Sequence, residues 1–308
     1  MKLEHFIESQ QLNDELILEF FKKADELRRT SAKEIYGLLE RKILLSLFYE
    51  PSTRTRLSFE SAMIRMGGKV LTTENAKEFS SAVKGESLED SIRVISKYTD
   101  CIVIRHQNEG AAKIAASISS VPVINAGDGG GQHPTQALLD IYSIYKEIGR
   151  LDNLKIAMIG DLEHGRTVRS LSYILGKYKS IEIIFVSPED LRMKEDIKDY
   201  LGRHNVNFRE ESDLNKVLPE ADVVYMTRIQ KERMNLERYN SARGKYIINS
   251  DNFWLIKPSA RLMHPLPHTD EIDLSLETEQ NDERVAYFRQ AENGLYIRMA
   301  LLNYLLGD

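Results

Sequence analysis

Short apolar runs alternate with longer stretches of mixed polarity along most of the chain. Ile43-Leu44-Leu45-Ser46-Leu47-Phe48 is followed by a segment in which Phe59, Ala62, Met63 and Met66 recur at helical spacing, and Gly67-Gly68 ends it. The spacing predicts a strand that feeds a helix. Cys101-Ile102-Val103-Ile104 reads as a second strand ending in Arg105-His106, and residues 110–119 as a short helix. Val121-Pro122-Val123-Ile124 reads as a third strand. It opens into the glycine-rich stretch Ala126-Gly127-Asp128-Gly129-Gly130-Gly131-Gln132, and the helix that follows carries Leu138, Ile141, Tyr142, Tyr145 and Ile148 on one face.

After a break at residues 149–152 the alternation restarts. Strands are predicted at 154–159, 181–186, 206–209, 222–226 and 246–248, with helices at 167–177, 190–203 and 213–218. Strand–helix alternation of this kind predicts an α/β fold: two doubly wound domains with central parallel sheets flanked by helices. The last segment, 292–306, is apolar at Leu295, Met299, Leu302 and Leu306, so it is expected to pack back on the first domain.

The chain's 308 residues suit two domains of ordinary size, and an apolar share of 42% suffices for their cores. Net charge is only -5, with no basic excess that would point to nucleic acid. Positive charge at a site must therefore be local, which favours a small anionic ligand. The single cysteine, Cys101, excludes an intrachain disulfide and sits in an apolar run, where it reads as a buried small hydrophobe. The N-terminus has no leader-like apolar stretch, and no apolar run approaches membrane-spanning length. A soluble, cytoplasmic protein without membrane association is expected.

Polar clusters recur at the carboxyl ends of the predicted strands, where open α/β sheets bind ligands. The first is Ser52-Thr53-Arg54-Thr55-Arg56, between a strand and a helix. It is either an ordinary N-cap with solvated arginines or an anion site. Hydroxyls and guanidinium forks at the positive end of a helix favour the anion, best of all a phosphate. Arg105 ends the second strand. His133 precedes Pro134, a residue favoured at the first helical position, so His133 falls near the N-cap, where the dipole opposes protonation. A neutral ring there can donate to a substrate carbonyl; a structural histidine bonded to backbone is the alternative.

Further clusters belong to the second half. Residues 160–167 have the glycine spacing of a phosphate loop but end in Arg166-Thr167 instead of Lys-Ser/Thr, which weakens a nucleotide reading and leaves Arg166 as a carboxylate ligand. Thr227-Arg228-Ile229-Gln230 follows another strand. In His264-Pro265-Leu266-Pro267-His268 the prolines remove N–H groups and leave carbonyl oxygens free to accept from an NH2 group, unless the segment is only a rigid turn. Its histidines have no Cys or carboxylate at metal-ligand spacing. Ser80 to Glu86 reads as a solvated loop or a lid.

Together these clusters resemble the transcarbamoylase family. Ser52-Thr53-Arg54-Thr55-Arg56 matches its phosphate motif, His133-Pro134-Thr135-Gln136 its second motif and His264-Pro265-Leu266-Pro267 its third, in order and over nearly the whole chain. The ornithine branch usually has His-Cys-Leu-Pro and a Ser-Met-Gly segment where this chain has His-Pro-Leu-Pro and Arg228-Ile229-Gln230, so the acceptor implied is aspartate. The resemblance implies transfer of the carbamoyl group of carbamoyl phosphate to the α-amine of L-aspartate, an early step of de novo pyrimidine synthesis, with no cofactor and no metal.

It also implies a division of labour. Ser52, Thr53, Arg54 and Thr55 hold the phosphate; Arg105 bridges phosphate and carbonyl; His133 and Thr55 polarise the carbonyl. Gln136 and the Leu266 and Pro267 carbonyls hold the carbamoyl NH2, and Arg166, Arg228, Gln230 and Lys84 bind aspartate. Ser80 and Lys84 come from a neighbouring subunit, so the implied assembly is a homotrimer, which regulatory chains can join into a larger complex. The domains implied are residues 1–134 with 289–308 for carbamoyl phosphate and 150–284 for aspartate, with interdomain helices at 135–149 and 285–292. They are expected to close on the substrates, with mobile loops near 78–86 and 228–245. Against this stand ornithine as acceptor, a P-loop-like nucleotide enzyme using residues 160–167, and a non-catalytic anion sensor.

Overall fold

The computed structural model of the chain describes residues 3–79 and 81–307. It divides into two compact units, one of Met1–Leu139 with Glu292–Asp308 and one of Asp140–Ala291. Ser80, assigned above to a neighbour's site, lies outside the described residues.

In the first unit the strands are β1 (Ile43–Phe48), β2 (Lys69–Glu74), β3 (Cys101–His106) and β4 (Val123–Asp128). They form a parallel sheet in the order β2-β1-β3-β4, with Leu44 opposite both Val70 and Cys101. The central strands β1 and β3 read as near-continuous apolar runs because a parallel sheet covered by helices buries both faces; Leu44, Phe48, Ile102 and Val103 are fully buried. Cys101 is a free, buried thiol whose pKa burial drives far up. The sequence reading omitted β2. It is an edge strand with mostly exposed residues, so it shows no alternation of buried and exposed positions. Phe6 adds a parallel bridge beside β4, its N–H donating to the Val123 carbonyl at 2.9 Å.

The last helix runs from Tyr287 to Leu306. Its later part packs within the first unit, as expected. Arg28 reaches Glu292 and Asn293, the Tyr304 ring meets Phe20 edge-on at 5.3 Å, and the Arg298 guanidinium lies 5.1 Å above Phe59.

The second unit holds a five-stranded parallel sheet of β5 (Lys155–Ile159), β6 (Glu182–Val186), β7 (Asn207–Glu211), β8 (Val223–Met226) and β10 (Arg261–Met263), in the order β10-β8-β5-β6-β7. Between β8 and β10 comes β9 (Ile248–Asn249), which pairs with β11 (Ile272–Asp273) as a separate parallel ribbon. Ala157, Ile159, Val224, Met226 and Leu262 share one buried cluster. The helix predicted over 190–203 is shorter, Glu195–Arg203. Pro188 opens a 3-10 turn over Glu189–Leu191, and Arg192 leaves it in extended conformation. Gly160, at the end of β5, has φ +116°; a Cβ there would stand 2.1 Å from the Thr227 carbonyl oxygen, so only glycine lets the loops after β5 and β8 approach this closely.

Candidate functional site

In the first unit Ser52 occupies the N-cap of the helix Thr53–Arg65 with extended backbone (φ -157°, ψ 96°), yet its side chain makes no capping bond. The hydroxyl instead meets Arg105 Nη1, from the end of β3, at 3.5 Å. The plain-cap reading of this motif therefore fails for Ser52. The first bond of the helix runs from Arg56 N–H to the Ser52 carbonyl, so the N–H groups of the preceding turn have no intrahelical acceptor. Thr53 and Arg54 are exposed there and Thr55 is buried. Arg56 turns away: it pairs with Glu60 at 3.2 Å and Glu74 at 2.9 Å. Arg105 lies 3.5 Å from Glu50, which precedes the motif by two residues.

His133 stands immediately before the helix Pro134–Ile148, and its carbonyl accepts from the N–H groups of Gln136 and Ala137. The ring is buried. Nε2 lies 3.4 Å from the Thr55 hydroxyl and Nδ1 3.3 Å from that of Thr135. Thr55 and His133 thus adjoin, and Ser52 adjoins Arg105. Gln136 is buried one residue beyond Thr135, and Lys84 is exposed at the end of the turn Ser81–Lys84.

In the second unit Arg166 opens the helix Arg166–Leu175, behind Gly165. The buried Asp161 accepts from the His164 N–H at 3.0 Å and the Gln230 N–H at 3.4 Å, and so joins the loops after β5 and β8. A phosphate loop presents its N–H groups to the ligand. Here the loop's own carboxylate takes one, which counts against the nucleotide reading. Arg228 is half-buried and engages Glu232 through both terminal nitrogens; that hydrogen bonding raises its pKa further.

The turn after β10 has a cis peptide bond between Leu266 and Pro267, and Leu266 adopts φ +56°. His264, buried at its start, accepts the Leu266 N–H at Nδ1 (2.8 Å) and meets Glu271 at Nε2 (2.9 Å). Burial lowers the His264 pKa against the opposing pull of Glu271. Burial also works against the Glu271 charge, but the bonds from His264 and Thr269 outweigh it and hold that carboxylate below its ordinary range. Among the described residues no group of three or more His, Cys, Asp or Glu is arranged to hold a metal ion, and no helix is long and apolar enough to cross a membrane.

Glu50, Asp161, Glu232 and Glu271 were not singled out from the sequence. Glu50 had a local signal, its position just before the motif, and so had Glu232, four residues after Arg228. Asp161 and Glu271 gain meaning from partners brought to them by the fold.

Residues 4–146 match the family described as "Aspartate/ornithine carbamoyltransferase, carbamoyl-P binding domain", and residues 152–305 its "Asp/Orn binding domain". The chain is 54% identical to the chloroplastic aspartate carbamoyltransferase of Oryza sativa subsp. japonica, over 99% of this chain and 86% of that protein. It is 47% identical to the catalytic subunit of aspartate transcarbamoylase from M. jannaschii, covering 98% of each chain with a TM-score of 0.88. It is 38% identical to the Trypanosoma cruzi aspartate transcarbamoylase solved in complex with carbamoyl phosphate and aspartate, with a TM-score of 0.93 over 99% of this chain and 98% of that one.

Proposed function

From the premise that this chain belongs to the aspartate/ornithine carbamoyltransferase family, we propose how its own residues divide the work. The reaction is transfer of the carbamoyl group from carbamoyl phosphate to the α-amine of L-aspartate, giving N-carbamoyl-L-aspartate and phosphate. Ornithine is not favoured as the acceptor: the relatives named above are, by name, aspartate carbamoyltransferases or transcarbamoylases. Ser52, Thr53, Arg54, Thr55 and Arg105 hold the phosphate. His133 and Thr55 donate to the carbonyl oxygen as negative charge builds on it, which is the largest single contribution expected of such a site. Gln136 and the Leu266 and Pro267 carbonyls hold the carbamoyl NH2, while Arg166, Arg228, Gln230 and Lys84 take aspartate.

The observation that supports this reading most is the Ser52 hydroxyl. It sits at a helix N-terminus, does not cap, and lies beside Arg105. A dianionic phosphate there meets the N–H groups of a helix's first turn, a guanidinium and hydroxyls at once. In a chain with net charge -5 that positive potential is built locally. With phosphate as an activated leaving group, positioning and electrostatic preorganisation carry most of the acceleration.

The assembly belongs to the same proposal: a homotrimer in which Ser80 and Lys84 complete a neighbour's site, open to regulatory chains, located in the cytoplasm and supplying pyrimidine synthesis. The domain limits stated from the sequence and the closure of the domains on the substrates are proposed with it. Assay of carbamoyl phosphate with aspartate and, separately, ornithine tests the reading. Product from aspartate alone is expected; turnover of ornithine at a comparable kcat/KM would overturn the choice of acceptor.

A further inference from the structure

We infer that Glu271 and His264 are positioning residues that set the direction of the Leu266 and Pro267 carbonyls, and through them the selectivity for an amide over a methyl ketone at the carbamoyl subsite. The inference deepens the reading above and rests on its assignment of those carbonyls to the carbamoyl NH2.

The hydrogen bonds fix the ring's protonation. A backbone N–H can only donate, so His264 Nδ1, 2.8 Å from the Leu266 nitrogen, is the bare acceptor. The hydrogen of a neutral ring is then on Nε2, 2.9 Å from Glu271 Oε1, and it donates to that carboxylate. The other tautomer would set two N–H groups against each other at Leu266 and a lone pair against the carboxylate. Burial of the ring favours the neutral form this arrangement requires.

Both ends of the pair are themselves held. Glu271 Oε1 accepts the Thr269 N–H at 3.1 Å, and Oε2 accepts the Thr269 hydroxyl at 2.8 Å. The His264 N–H donates to Gln290 Oε1 at 2.9 Å. Gln290 Nε2 donates to the buried Asp140 at 2.6 Å, and Asp140 accepts the Tyr225 hydroxyl at 2.6 Å. Every link from Thr269 to Tyr225 is a directional bond.

The residue held in this way is one that needs holding. Leu266 has φ +56°, a region that side chains other than glycine's rarely occupy. Its N–H is tied to the ring and its side chain packs against the cluster of Val224, Met226 and Leu262. That N–H shares its peptide plane with the Pro265 carbonyl, so with it and the side chain fixed the Leu266 Cα is held in orientation, and the Pro267 ring restricts the backbone that follows, which carries the two carbonyls. Oxygens so directed accept from an NH2 group and have nothing to offer a CH3 group, so a misdirected turn loses amide selectivity while the phosphate subsite is untouched.

The test uses the full chain and three probes: inorganic phosphate, phosphonoacetamide, and acetonylphosphonate, in which methyl replaces the amide NH2. Wild type should prefer phosphonoacetamide by about tenfold or more. His264→Ala should reduce that preference at least about fivefold while its affinity for inorganic phosphate stays within about twofold of wild type. His264→Asn, whose Oδ1 can take the place of Nδ1, and Glu271→Gln, which still accepts from Nε2, should keep most of it. Full selectivity in His264→Ala would overturn the positioning role alone, whereas a wild type that does not discriminate would overturn the assignment of the carbonyls and the inference with it. Nitrogen-15 NMR of the wild-type histidines needs no variant to fold: protonated Nε2 and bare Nδ1 are expected for His264, and the opposite tautomer overturns the inference.

Discussion

The Thr55 hydroxyl lies 3.4 Å from His133 Nε2, although the two residues are 78 positions apart and stand at the N-terminal ends of different helices. Two donors of different chemistry are thereby set beside each other at the carboxyl edge of one parallel sheet. If both face the same developing oxyanion, their effects are coupled. His133→Asn and Thr55→Val should each lower kcat by about 100- to 1000-fold, the range for single oxyanion donors. The double variant should lose clearly less than the product of the two losses. Steady-state kcat measured at saturating substrates checks this; strict multiplicativity would show that the two act on different atoms.

Arg54 is exposed in the first turn of a helix whose N-cap side chain does not cap. Arg54→Ala should cost at least about 3 kcal/mol of transition-state stabilisation, read as kcat/KM for carbamoyl phosphate. Arg56, already paired with Glu60 and Glu74, is the internal control. Arg56→Ala should reduce kcat/KM far less.

Arg228 is held by Glu232. A dicarboxylate must draw the guanidinium from that partner, and an alanine there removes the charge that makes the exchange worthwhile. Arg228→Ala should weaken succinate, a dicarboxylate without the reacting amine, by about 100-fold. Affinity for carbamoyl phosphate should be nearly unchanged. Equal losses for the two ligands would contradict the placement of aspartate here.

Glu147 binds Arg289 at 2.8 Å and Arg261 at 3.1 Å. Burial opposes its charge, but bonds from Arg289 and then Arg261 outweigh it and depress its pKa. A depressed carboxylate stabilises the folded chain at pH values above its unfolded pKa, and the contribution disappears as pH falls through the folded value. Glu147→Gln should therefore cost about 1–3 kcal/mol at pH 7. Urea unfolding should show the gap from wild type narrowing once the pH drops below about 4.3. A gap independent of pH would mean packing, and not charge, makes the contribution.

Lys84 and Arg54 belong, in the proposal, to sites built from different chains. Lys84→Ala and Arg54→Ala chains, each inactive alone, should regain measurable activity when mixed, unfolded together and refolded. No recovery would mean each chain builds its own site.

The chemistry was legible where the fold concentrates it. Ser52, His133, Arg166 and Arg228 each follow a strand and Arg105 lies at the end of one, so their clusters stand out against apolar runs. Elements whose residues are exposed or few were not legible. β2 is an edge strand without a buried face, and β10 has only Arg261, Leu262 and Met263, too few to show a period. Carboxylates were the hardest to read. Glu232 is four residues from Arg228, but Asp161 is 69 residues from Gln230, and Glu271 acts through a ring whose tautomer is set by a backbone N–H elsewhere in the turn. Such roles depend on three-dimensional neighbours that no local pattern encodes.

Cys101, the chain's one thiol, lies fully buried in β3 with its pKa driven far upward. A thiol held so protonated is a poor nucleophile. The native protein is thus a silent background for sulfhydryl chemistry: a cysteine introduced at the exposed Lys84 or Trp254 would be the sole rapidly labelled position. A fluorophore or spin label could then be attached to the wild-type scaffold without first removing a competing site.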